Sequence, residues 1–573
     1  MKSVTRYAAK VWHPTLRAVA LAMAIAVVLC AVPAWALPEG GVVQAGEATI
    51  VHLGPKALII IQSTPQVVIE WESFSIGANE TVIFGGPSAS AAALNLVTGA
   101  NPSVIRGLIA AKGQVFTVNP SGVFYEKEAD VEVGGLVTTT AIISSQDFMA
   151  GGNLPFSPGN DSGATIVNHG TISVSKGGFL AFVAPGVENL GMIQAPGGSV
   201  ALGSGDAFTF EANGNPLIQL AADNFISTTL VDAEGQPRSS LVSNSGAIRA
   251  DGGGVLLAAS TMQEIVASSI NVSGETRART ANRQPGQIIV CAGPGPVIVS
   301  GMLDVSGMIA DDQGGNVEVL GNSVQLAAGS LINLSGNAGG GVAAIGTSLA
   351  RAAGGPSVGG APLANTTTIA QGAQITADAL TAGNGGRVSV LSQTSTSMAG
   401  SISARGGSQS GNGGFVEISG GSLSLTGTVD VSALHGTVGT ILLDPYDFII
   451  TLPVANALAA QLFAGSGGTL IIQADHDIEV AAPIDGRGGK PGTRLVLIAG
   501  NQVRLNAEVL TNNAPLEVDT GAGGVVAAPG AGLCAGTSPI RVKVDGSIRT
   551  QDPFTGGTAL LSPTCSPMTP KEP

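Results

Sequence analysis

Residues 95–151, NLVTGANPSVIRGLIAAKGQVFTVNPSGVFYEKEADVEVGGLVTTTAIISSQDFMAG, decide the fold of this 573-residue chain. The stretch consists of short runs in which polar and apolar residues alternate, and each run ends at Gly, Asn or Pro. Such runs predict strands with a sharp turn at every end. At its centre, Gln114–Val118 continues directly into Asn-Pro-Ser-Gly-Val at positions 119–123. The proline fixes φ and biases the preceding asparagine towards extended backbone, and the glycine accepts positive φ, so we predict a strand followed by a tight turn.

Two glycine signatures recur along the chain. The first, Gly-x-apolar-polar-apolar, begins at Gly170, Gly191, Gly246, Gly301, Gly400, Gly427 and Gly546. The second, Gly-Gly followed by an alternating apolar strand, begins at Gly177, Gly197, Gly314, Gly385, Gly413 and Gly467. The closest copies lie about two dozen residues apart, which indicates a solenoid of roughly 20 stacked β-coils that share one core. We therefore predict an all-β fold, a right-handed parallel β-helix, with Leu37–Phe84 as an N-terminal cap. A helical period is visible only at Ala455–Phe463.

The composition suits this architecture. Gly accounts for 83 of 573 residues, charged residues for 11% and aromatic residues for 4%, whereas a globular enzyme of this size normally has more charge and more large side chains. At 44% hydrophobic residues, the chain is not a disordered linker. The net charge of −14 leaves no basic face on the scale that nucleic-acid binding requires. We therefore predict that nucleic acid is not a partner.

The central segment resembles the N-terminal domain of filamentous haemagglutinin-type exoproteins, which use two-partner secretion. The family carries a Gln-Val-Phe-Leu/Ile-Val/Ile-Asn-Pro-Asn-Gly-Ile/Val segment, and this chain has Gln114–Val123. The resemblance extends upstream to Trp71–Val82 and downstream to Gly134–Val137 and Asp147–Gly151. The resemblance implies a pectin-lyase-like parallel β-helix. It also implies capture of the unfolded domain by the periplasmic recognition domains of an outer-membrane β-barrel transporter.

In this scheme the secretion motif is Asn119, Pro120, Ser121, Gly122 and Val123. Two interpretations stay open, a segment that the transporter reads and a tight turn that the coil needs, and both can hold together. Ser121 stands where the family usually has Asn, and Thr117 where it usually has Leu or Ile. Asn101-Pro102 lies elsewhere in the pattern, so we assign it no such role.

The N-terminus has the layout of a signal peptide. Lys2, Arg6, Lys10 and Arg17 precede an apolar run, and Ala34-Trp35-Ala36 offers small residues to signal peptidase. We predict cleavage between Ala36 and Leu37; the alternative is an uncleaved anchor, for which the apolar run is short. The implied route is Sec export to the periplasm of a Gram-negative bacterium, followed by secretion or display at the cell surface.

These observations divide the chain into four parts. We predict a signal peptide at 1–36, the secretion domain with its cap at 37–152, β-helical passenger repeats at 153–550, and a flexible C-terminal tail at 551–573. Three cysteines remain after cleavage, and Cys291 is predicted to fill a core position. Cys534 and Cys565 are candidates for a C-terminal disulfide loop, as in some surface-retained relatives, or are two unrelated thiols.

No catalytic residue, cofactor site or metal site is predicted. Asp304, Asp430 and Asp485 occupy similar places in their coils, but the first two are too far apart for a glycosidase pair, and we expect solvent-facing positions. His476 lies between two aspartates and is expected in a polar loop. The arginines Arg277, Arg279 and Arg283 are expected in a solvated loop, although an acidic glycan would suit them as a ligand.

The sequence therefore predicts a non-catalytic exoprotein that acts as an adhesin or haemagglutinin-like surface filament, with host or cell-surface glycans or proteins as further partners. The alternatives are a polysaccharide-lyase-type enzyme, a cytolysin-type exoprotein, and a degenerate relative that is secreted but binds no ligand.

Overall fold

The computed structural model describes residues 37–159, 163–211, 218–220, 230, 237–259, 267–355, 360, 362–464, 468–487, 493–511, 513–549, 554–555 and 560–562. The predicted signal peptide with its last residue, Ala36, lies outside the described residues, as does Cys565. Three α-helices occur in the described part of the chain, α1 (Ser145–Ala150), α2 (Leu349–Gly354) and α3 (Leu452–Ala464), with a short 3-10 turn at Gly54–Lys56. Strands dominate everything else, as the alternating sequence predicts.

In the first half of the chain the strands are β1 (Val42–Ala45), β2 (Ala48–His52), β3 (Ala57–Gln62), β4 (Gln66–Trp71), β5 (Thr81–Gly85), β6 (Ala92–Val97), β7 (Ser103–Ile105), β8 (Leu108–Ala111), β9 (Gln114–Val118), β10 (Val123–Tyr125), β11 (Asp130–Val133), β12 (Gly135–Thr139), β13 (Leu154–Phe156), β14 (Thr165–Asn168), β15 (Thr171–Val174), β16 (Phe179–Ala184), β17 (Gly186–Asn189), β18 (Met192–Gln194), β19 (Ser199–Ser204), β20 (Phe208–Phe210), β21 (Ile218–Leu220), β22 (Ser240–Asn244), β23 (Ala247–Arg249), β24 (Gly254–Ala259), β25 (Ser268–Val272), β26 (Glu275–Arg277) and β27 (Gln287–Cys291).

In the second half they are β28 (Pro296–Val299), β29 (Met302–Asp304), β30 (Asn316–Leu320), β31 (Ser323–Leu326), β32 (Leu331–Asn333), β33 (Val342–Ile345), β34 (Thr366–Ile369), β35 (Gln374–Thr376), β36 (Arg387–Leu391), β37 (Ser395–Met398), β38 (Ser401–Ser403), β39 (Phe415–Gly420), β40 (Ser422–Leu425), β41 (Thr428–Asp430), β42 (Thr440–Pro445), β43 (Phe448–Ile450), β44 (Thr469–Ala474), β45 (Asp477–Val480), β46 (Ile484–Asp485), β47 (Arg494–Ala499), β48 (Gln502–Leu505), β49 (Val509–Leu510), β50 (Leu516–Thr520), β51 (Gly524–Ala527), β52 (Gly532–Cys534), β53 (Ile540–Val544), β54 (Ser547–Arg549), β55 (Phe554–Thr555) and β56 (Leu560–Ser562).

Each coil of the rod passes through three parallel sheets. Sheet I holds 19 strands, of which 17 run parallel from β4 to β53. Sheet II has 14 strands and ends at β41, and sheet III has 11 and runs from β7 to β40. The chain goes from sheet I to sheet III, then to sheet II, and back to sheet I, as in β9, β10, β11 and β12. At roughly 4.8 Å between paired strands, sheet I is on the order of 80 Å long. This parallel β-helix confirms the predicted fold.

The core is a single column of mostly aliphatic side chains inside the coils. Along β27, Ile288 and Val290 are fully buried and belong to a cluster of buried hydrophobic residues that extends from Leu37 to Val542. Their neighbours in the strand point outward and are half-buried, the period-2 alternation expected of a strand with one buried face. Each coil buries its inner face against the next coil, so the core grows along the rod rather than around one centre.

Both glycine signatures mark turns where two coils touch through their backbones. Before sheet II, a Cβ on Gly191 would lie 2.1 Å from the carbonyl oxygen of Gly170. Before sheet I, a Cβ on Gly198 would lie 2.1 Å from the carbonyl oxygen of Gly178. Any side chain there would force neighbouring coils apart. Gly546 was wrongly assigned to this repeat, because it lies in the antiparallel hairpin between β53 and β54.

The N-terminal cap consists of β1 and β2. β1 pairs antiparallel with β4 at the end of sheet I, and β2 pairs antiparallel with β3 at the end of sheet II. Both cover a sheet edge that would otherwise offer unpaired backbone groups to another chain. The cap is shorter than the predicted Leu37–Phe84, because β3, β4 and β5 already pair parallel with later coils.

Helix α3 interrupts the regular coil and confirms the helical period noted near Ala455. It takes the place of a sheet II strand between β43 and β44, and contacts β40, β41, β43 and β46. The segment is alanine-rich and has Pro453 in its first turn, both favourable for a helix. Val454, Ala455 and Leu458 enter the core. From β43 onward, a five-stranded sheet IV (β43, β45, β48, β51, β55) and a four-stranded sheet V (β46, β49, β52, β56) continue the rod, with sheet I running through.

Strand pairing continues into the region predicted as a flexible tail. β55 pairs with β51, and β56 pairs with β52. No described helix is long and apolar enough to cross a membrane.

Candidate secretion motif

The segment Asn119–Val123 is a tight turn that leads the chain from β9 of sheet I into β10 of sheet III. The backbone N–H of Gly122 donates to the carbonyl oxygen of Asn119 at 3.0 Å and closes the turn. The backbone N–H of Asn119 donates to the carbonyl oxygen of Thr139 in the next coil, also at 3.0 Å. The structure therefore has the turn that the sequence predicts.

The Asn119 side chain is fully buried, and both its amide oxygen and its amide nitrogen make hydrogen bonds. Its Oδ1 accepts from the backbone N–H of Ser121 at 2.9 Å. Its Nδ2 donates to the carbonyl oxygen of Asn101 at 3.1 Å and to Ser103 Oγ at 3.0 Å. Because Asn101 and Ser103 belong to the preceding coil, one side chain ties the turn to the coil before it.

Gly122 ties the same turn to the coil after it. Its φ is +106°, in the region that favours glycine, and a Cβ there would lie 2.8 Å from the carbonyl oxygen of Thr165. Val123 is buried in the core, while Pro120 and Ser121 are half-exposed. In the folded rod only these two central residues are accessible. A protein that reads Asn119 must therefore bind before this coil closes.

The strand that precedes the turn contributes to a cluster of aromatic side chains on the outside of the coil, separate from the core. Phe116 of β9 contacts the rings of Phe148 and Phe210 edge-on, with centroid separations of 5.2 and 5.7 Å. Phe148 belongs to α1, whose first turn is capped by Ser144, and Phe210 belongs to an antiparallel sheet of β13, β20 and β21. The cluster covers the outer face of sheet I beside the motif. Phe116 and Phe148, which come from two of the segments that carry the resemblance, therefore pack against each other.

The upstream resemblance segment fixes the start of the core. Trp71 is buried, its ring meets that of Phe74 edge-on at 5.7 Å, and its Nε1 donates to Asn95 Oδ1 at 3.0 Å. Asn95 Nδ2 in turn donates to the carbonyl oxygen of Phe116 at 3.1 Å. This buried amide connects Trp71 to the strand that enters the Asn119 turn. Sequence reasoning found Trp71 but missed Asn95, since a lone asparagine in an alternating strand carries no signal of burial.

Comparison with known proteins decides what this arrangement belongs to. A family profile described as the TPS secretion domain matches residues 34–305. This chain carries a TPS secretion domain. The crystal structure of the HMW1 secretion domain from Haemophilus influenzae is similar, with a TM-score of 0.58 and 29% identity, and the alignment covers 69% of this chain and 99% of that one.

Curated relatives agree with the TPS assignment. A heme/hemopexin-binding protein of Haemophilus influenzae is 31% identical over 261 residues, which make up 45% of this chain and 27% of that protein. A second protein of the same name is 38% identical over 95 residues, 17% of this chain and 10% of that protein. The match thus spans about a quarter of the length of the longer-matching relative. The resemblance to two-partner secretion exoproteins is confirmed.

The matched TPS range contains the Asn119 turn and every segment on which the resemblance rested. The range also continues well beyond residue 152, where the sequence placed the end of the secretion domain. The domain boundaries stay predictions.

The three aspartates considered for catalysis share a structural role near the ends of strands β29, β41 and β46. Each carboxylate accepts from the backbone N–H two residues later: Asp304 from Ser306 at 3.0 Å, Asp430 from Ser432 at 2.9 Å, and Asp485 from Arg487 at 3.1 Å. Such bonds stabilise turns. The three aspartates recur because each stabilises the same turn of its coil, so their recurrence does not indicate a catalytic site.

The prediction of a solvent-facing position is wrong for Asp304, whose side chain is 1% exposed. It points away from the core, as expected, but Arg279 Nε donates to its Oδ2 at 2.7 Å and covers it. Arg279 lies one coil before Asp304 in the sequence, so a pair between them was conceivable. The sequence alone does not give the strand register that places the two side chains next to each other.

The arginine cluster of the TPS domain is neutralised rather than free. Arg277 contacts Asp251 at 2.6 Å, Arg279 contacts Asp304 at 2.7 Å, and Arg283 contacts Asp311 at 2.6 Å. The first two are partly buried ion pairs between neighbouring coils, and of the three only the Arg283 pair is largely exposed. Since each guanidinium has its own carboxylate, the cluster offers no cationic surface for an acidic glycan.

The cysteine predictions have different outcomes. Cys291 does not fill a core position, because it ends β27 on the outward-facing register, where it is half-buried and free. Burial raises the pKa of its thiol. Cys534 is disulfide-bonded, and Cys565, its predicted partner, lies outside the described residues. The pairing of these two cysteines stays a prediction.

Proposed function

We propose that this chain is exported by two-partner secretion and acts outside the cell as an adhesin-type structural protein. In this proposal, Sec export delivers the chain to the periplasm of a Gram-negative bacterium. An outer-membrane β-barrel with periplasmic recognition domains then captures the secretion domain and passes the chain outward. The single observation that carries the proposal is the TPS match over residues 34–305.

Folding outside the cell would make such transport directional. Each coil of this rod pairs its strands with the preceding coil, and the N-terminal edge of the first coils is already closed by β1 and β2. Coils that emerge in chain order therefore find a template on one side and can add to it one by one. Burial of Asn119 in the finished coil is compatible with a motif that is read only in the unfolded chain.

The adhesin role rests on the overall form of the passenger. The rod is long, its core is narrow, and the carboxylates tested above as catalytic candidates serve turns instead. An extended surface with many outward side chains suits contact with glycans or proteins of another surface better than it suits one deep active site. We therefore favour a surface filament over a polysaccharide lyase or a cytolysin. The names of the curated relatives refer to heme and hemopexin, but the match covers 27% of the longer-matching one, and we propose no such ligand here.

The secretion proposal is tested by export assays of the full chain in a Gram-negative host, with and without the candidate barrel partner. We expect the chain in the medium or at the cell surface only when the partner is present. We expect Asn119→Ala to reduce secretion severalfold at equal expression.

Asn119→Ala also removes buried hydrogen bonds, so a matched control must separate recognition from folding. Ser103→Ala deletes the hydroxyl that accepts from Asn119 Nδ2 but leaves residues 119–123 intact. If the motif is read in the unfolded chain, Ser103→Ala is secreted like the wild type while Asn119→Ala is not. Equal loss in both variants would mean that turn stability controls secretion, and export without the partner would refute the proposal.

A further inference from the structure

At the turn just before sheet IV, two aspartates stack in register on neighbouring coils. Asp447 immediately precedes β43, and Asp477 begins β45, and since Phe448 pairs with Ile478 these two carboxylates are adjacent in the ladder. Like charges directly opposite each other in a sheet destabilise it. Within the described residues, the ion pairs found for either carboxylate involve only His476. The turn therefore carries negative charge that the protein does not fully neutralise.

His476 places a nitrogen ligand between the two carboxylates. Its Nδ1 lies 3.0 Å from Asp447 Oδ1 and 3.7 Å from Asp477 Oδ1. Two ligand atoms bound to one Zn²⁺ ion at about 2.0–2.2 Å are separated by roughly 3.0–3.5 Å in tetrahedral or octahedral geometry. The two distances to His476 Nδ1 need adjustments of only a few tenths of an ångström for such a geometry. One ligand atom from each of the three residues lies within 4.8 Å of the other two, so all three can turn towards one ion.

Neighbouring groups orient these ligands. The Tyr446 ring stacks on the His476 imidazole at a centroid separation of 5.7 Å and an interplanar angle of 6°. Asn501 Nδ2 donates to Asp477 Oδ1 at 2.8 Å, and the backbone N–H of Asp477 donates to Asp447 Oδ1 at 2.9 Å. Such supporting contacts fix ligand orientation in metal sites. Asp447 and His476 are about half exposed, which leaves the outer side open to solvent ligands.

We propose that Asp447, His476 and Asp477 bind a divalent first-row transition-metal ion that clamps two successive coils together. One imidazole with two carboxylates suits Zn²⁺ or its neighbours better than Ca²⁺, which takes oxygen ligands. The clamp lies where sheets III and II have ended and sheets IV and V begin, so the ion joins the coil that contains α3 to the coil that follows it. The site lies outside the matched TPS range, and its existence does not depend on the secretion proposal.

The test is isothermal titration of Zn²⁺ into the purified mature chain in a non-chelating buffer, with Ca²⁺ titrated in parallel. We expect a Zn²⁺ site that His476→Ala and Asp477→Asn each weaken at least tenfold, and much weaker Ca²⁺ binding. His435→Ala is the matched control, because His435 is exposed but belongs to no such group among the described residues, and we expect it to bind like the wild type.

Thermal unfolding with Zn²⁺ and after addition of EDTA provides a second readout. The melting temperature of the wild type should rise with Zn²⁺ and fall back with EDTA, and that of His476→Ala should not respond. Circular dichroism of the metal-free variants shows whether they are folded, and Asp447→Asn replaces any variant that is not. Absence of Zn²⁺ binding by the wild type, or undiminished binding by the variants, would overturn the proposal.

Discussion

At the scale of single residues, the rod depends on positions where two coils meet with no room for adjustment. Gly122 is such a position, because its positive φ and its contact with Thr165 act at the same point. Asn119 is its counterpart on the other side of the turn, joined to Asn101 and Ser103. The turn is thus held from both neighbouring coils, and a change in either residue disturbs three coils.

We predict that Gly122→Ala lowers the free energy of unfolding by more than the cost of placing an alanine in left-handed backbone. Gly177 supplies the control, since its φ is +75° but a Cβ there meets nothing within 4 Å. Gly177→Ala should cost about 1–2 kcal/mol for the left-handed backbone. Gly122→Ala should cost clearly more, because its Cβ would approach the Thr165 carbonyl oxygen at 2.8 Å. Free energies of unfolding from urea titrations provide the comparison; equal costs would show that the coils relax freely.

A second prediction concerns pH. Burial, together with the charges of Asp475 and Glu417, raises the pKa of Asp444 to about 6 from the ordinary value of 3.8 for an aspartate. The folded chain therefore holds this proton over a range in which the unfolded chain loses it. The stability that this group contributes is present below pH 3.8 and is lost as the pH rises through 6. We expect Asp444→Asn to raise the melting temperature at pH 7 and to flatten its change between pH 4 and 6.

Asp485 is the control of opposite sign. The hydrogen bond from Arg487 lowers the pKa of the Asp485 carboxyl, so its contribution to stability is present at neutral pH and is lost in acid. Asp485→Asn should lower the melting temperature at pH 7. If both variants move the melting temperature in the same direction, the environment of Asp444 has been read incorrectly.

At the scale of elements, the three helices pack on a scaffold of strands: α1 and α2 lie against sheet I, and α3 takes the place of a strand. Helix α2 lies against the outer face of sheet I, capped by Ser348 at its start. Its Arg351 makes two hydrogen bonds, at 2.9 and 2.5 Å, to the carboxylate of Glu417, which is completely buried. The backbone N–H of Leu349 donates to Glu318 at 2.9 Å. Two carboxylates on the sheet therefore help to hold a helix of only six residues in place.

We predict that Arg351→Met destabilises the chain by roughly 3–5 kcal/mol, because it removes the cation beside Glu417 and leaves that buried charge only a hydrogen bond from Ser389. Arg283→Met is the matched control. The Arg283–Asp311 pair is 73% and 69% exposed, and pairs of this kind contribute about 0–1 kcal/mol. Urea unfolding gives both values, and hydrogen exchange at residues 349–354 shows whether α2 opens first. Similar losses for both arginines would contradict the assigned role of burial.

At the scale of the whole molecule, periodicity predicts the architecture well because every coil repeats the same local solution. Glycine turns, alternating strands and the helix near Ala455 are all visible in the sequence. The contacts between coils are not, since they depend on register across insertions of varying length. Ser103 beneath Asn119, Arg279 over Asp304 and Asp447 beside His476 are separated by 16, 25 and 29 residues. No fixed spacing identifies such partners in advance.

The spacing between neighbouring coils also does not depend on how many residues connect their strands. Strand β19 ends at Ser204 and β24 begins at Gly254, yet the two are direct neighbours in sheet I. Buried Asn189 and Asn244 bridge the same gap in sheet III, with an amide-to-amide hydrogen bond of 2.8 Å. The part of this excursion between β21 and β22 can therefore differ in length while the strands of the neighbouring coils keep their spacing. A foreign peptide inserted into this excursion would be displayed on the side of the rod without lengthening it.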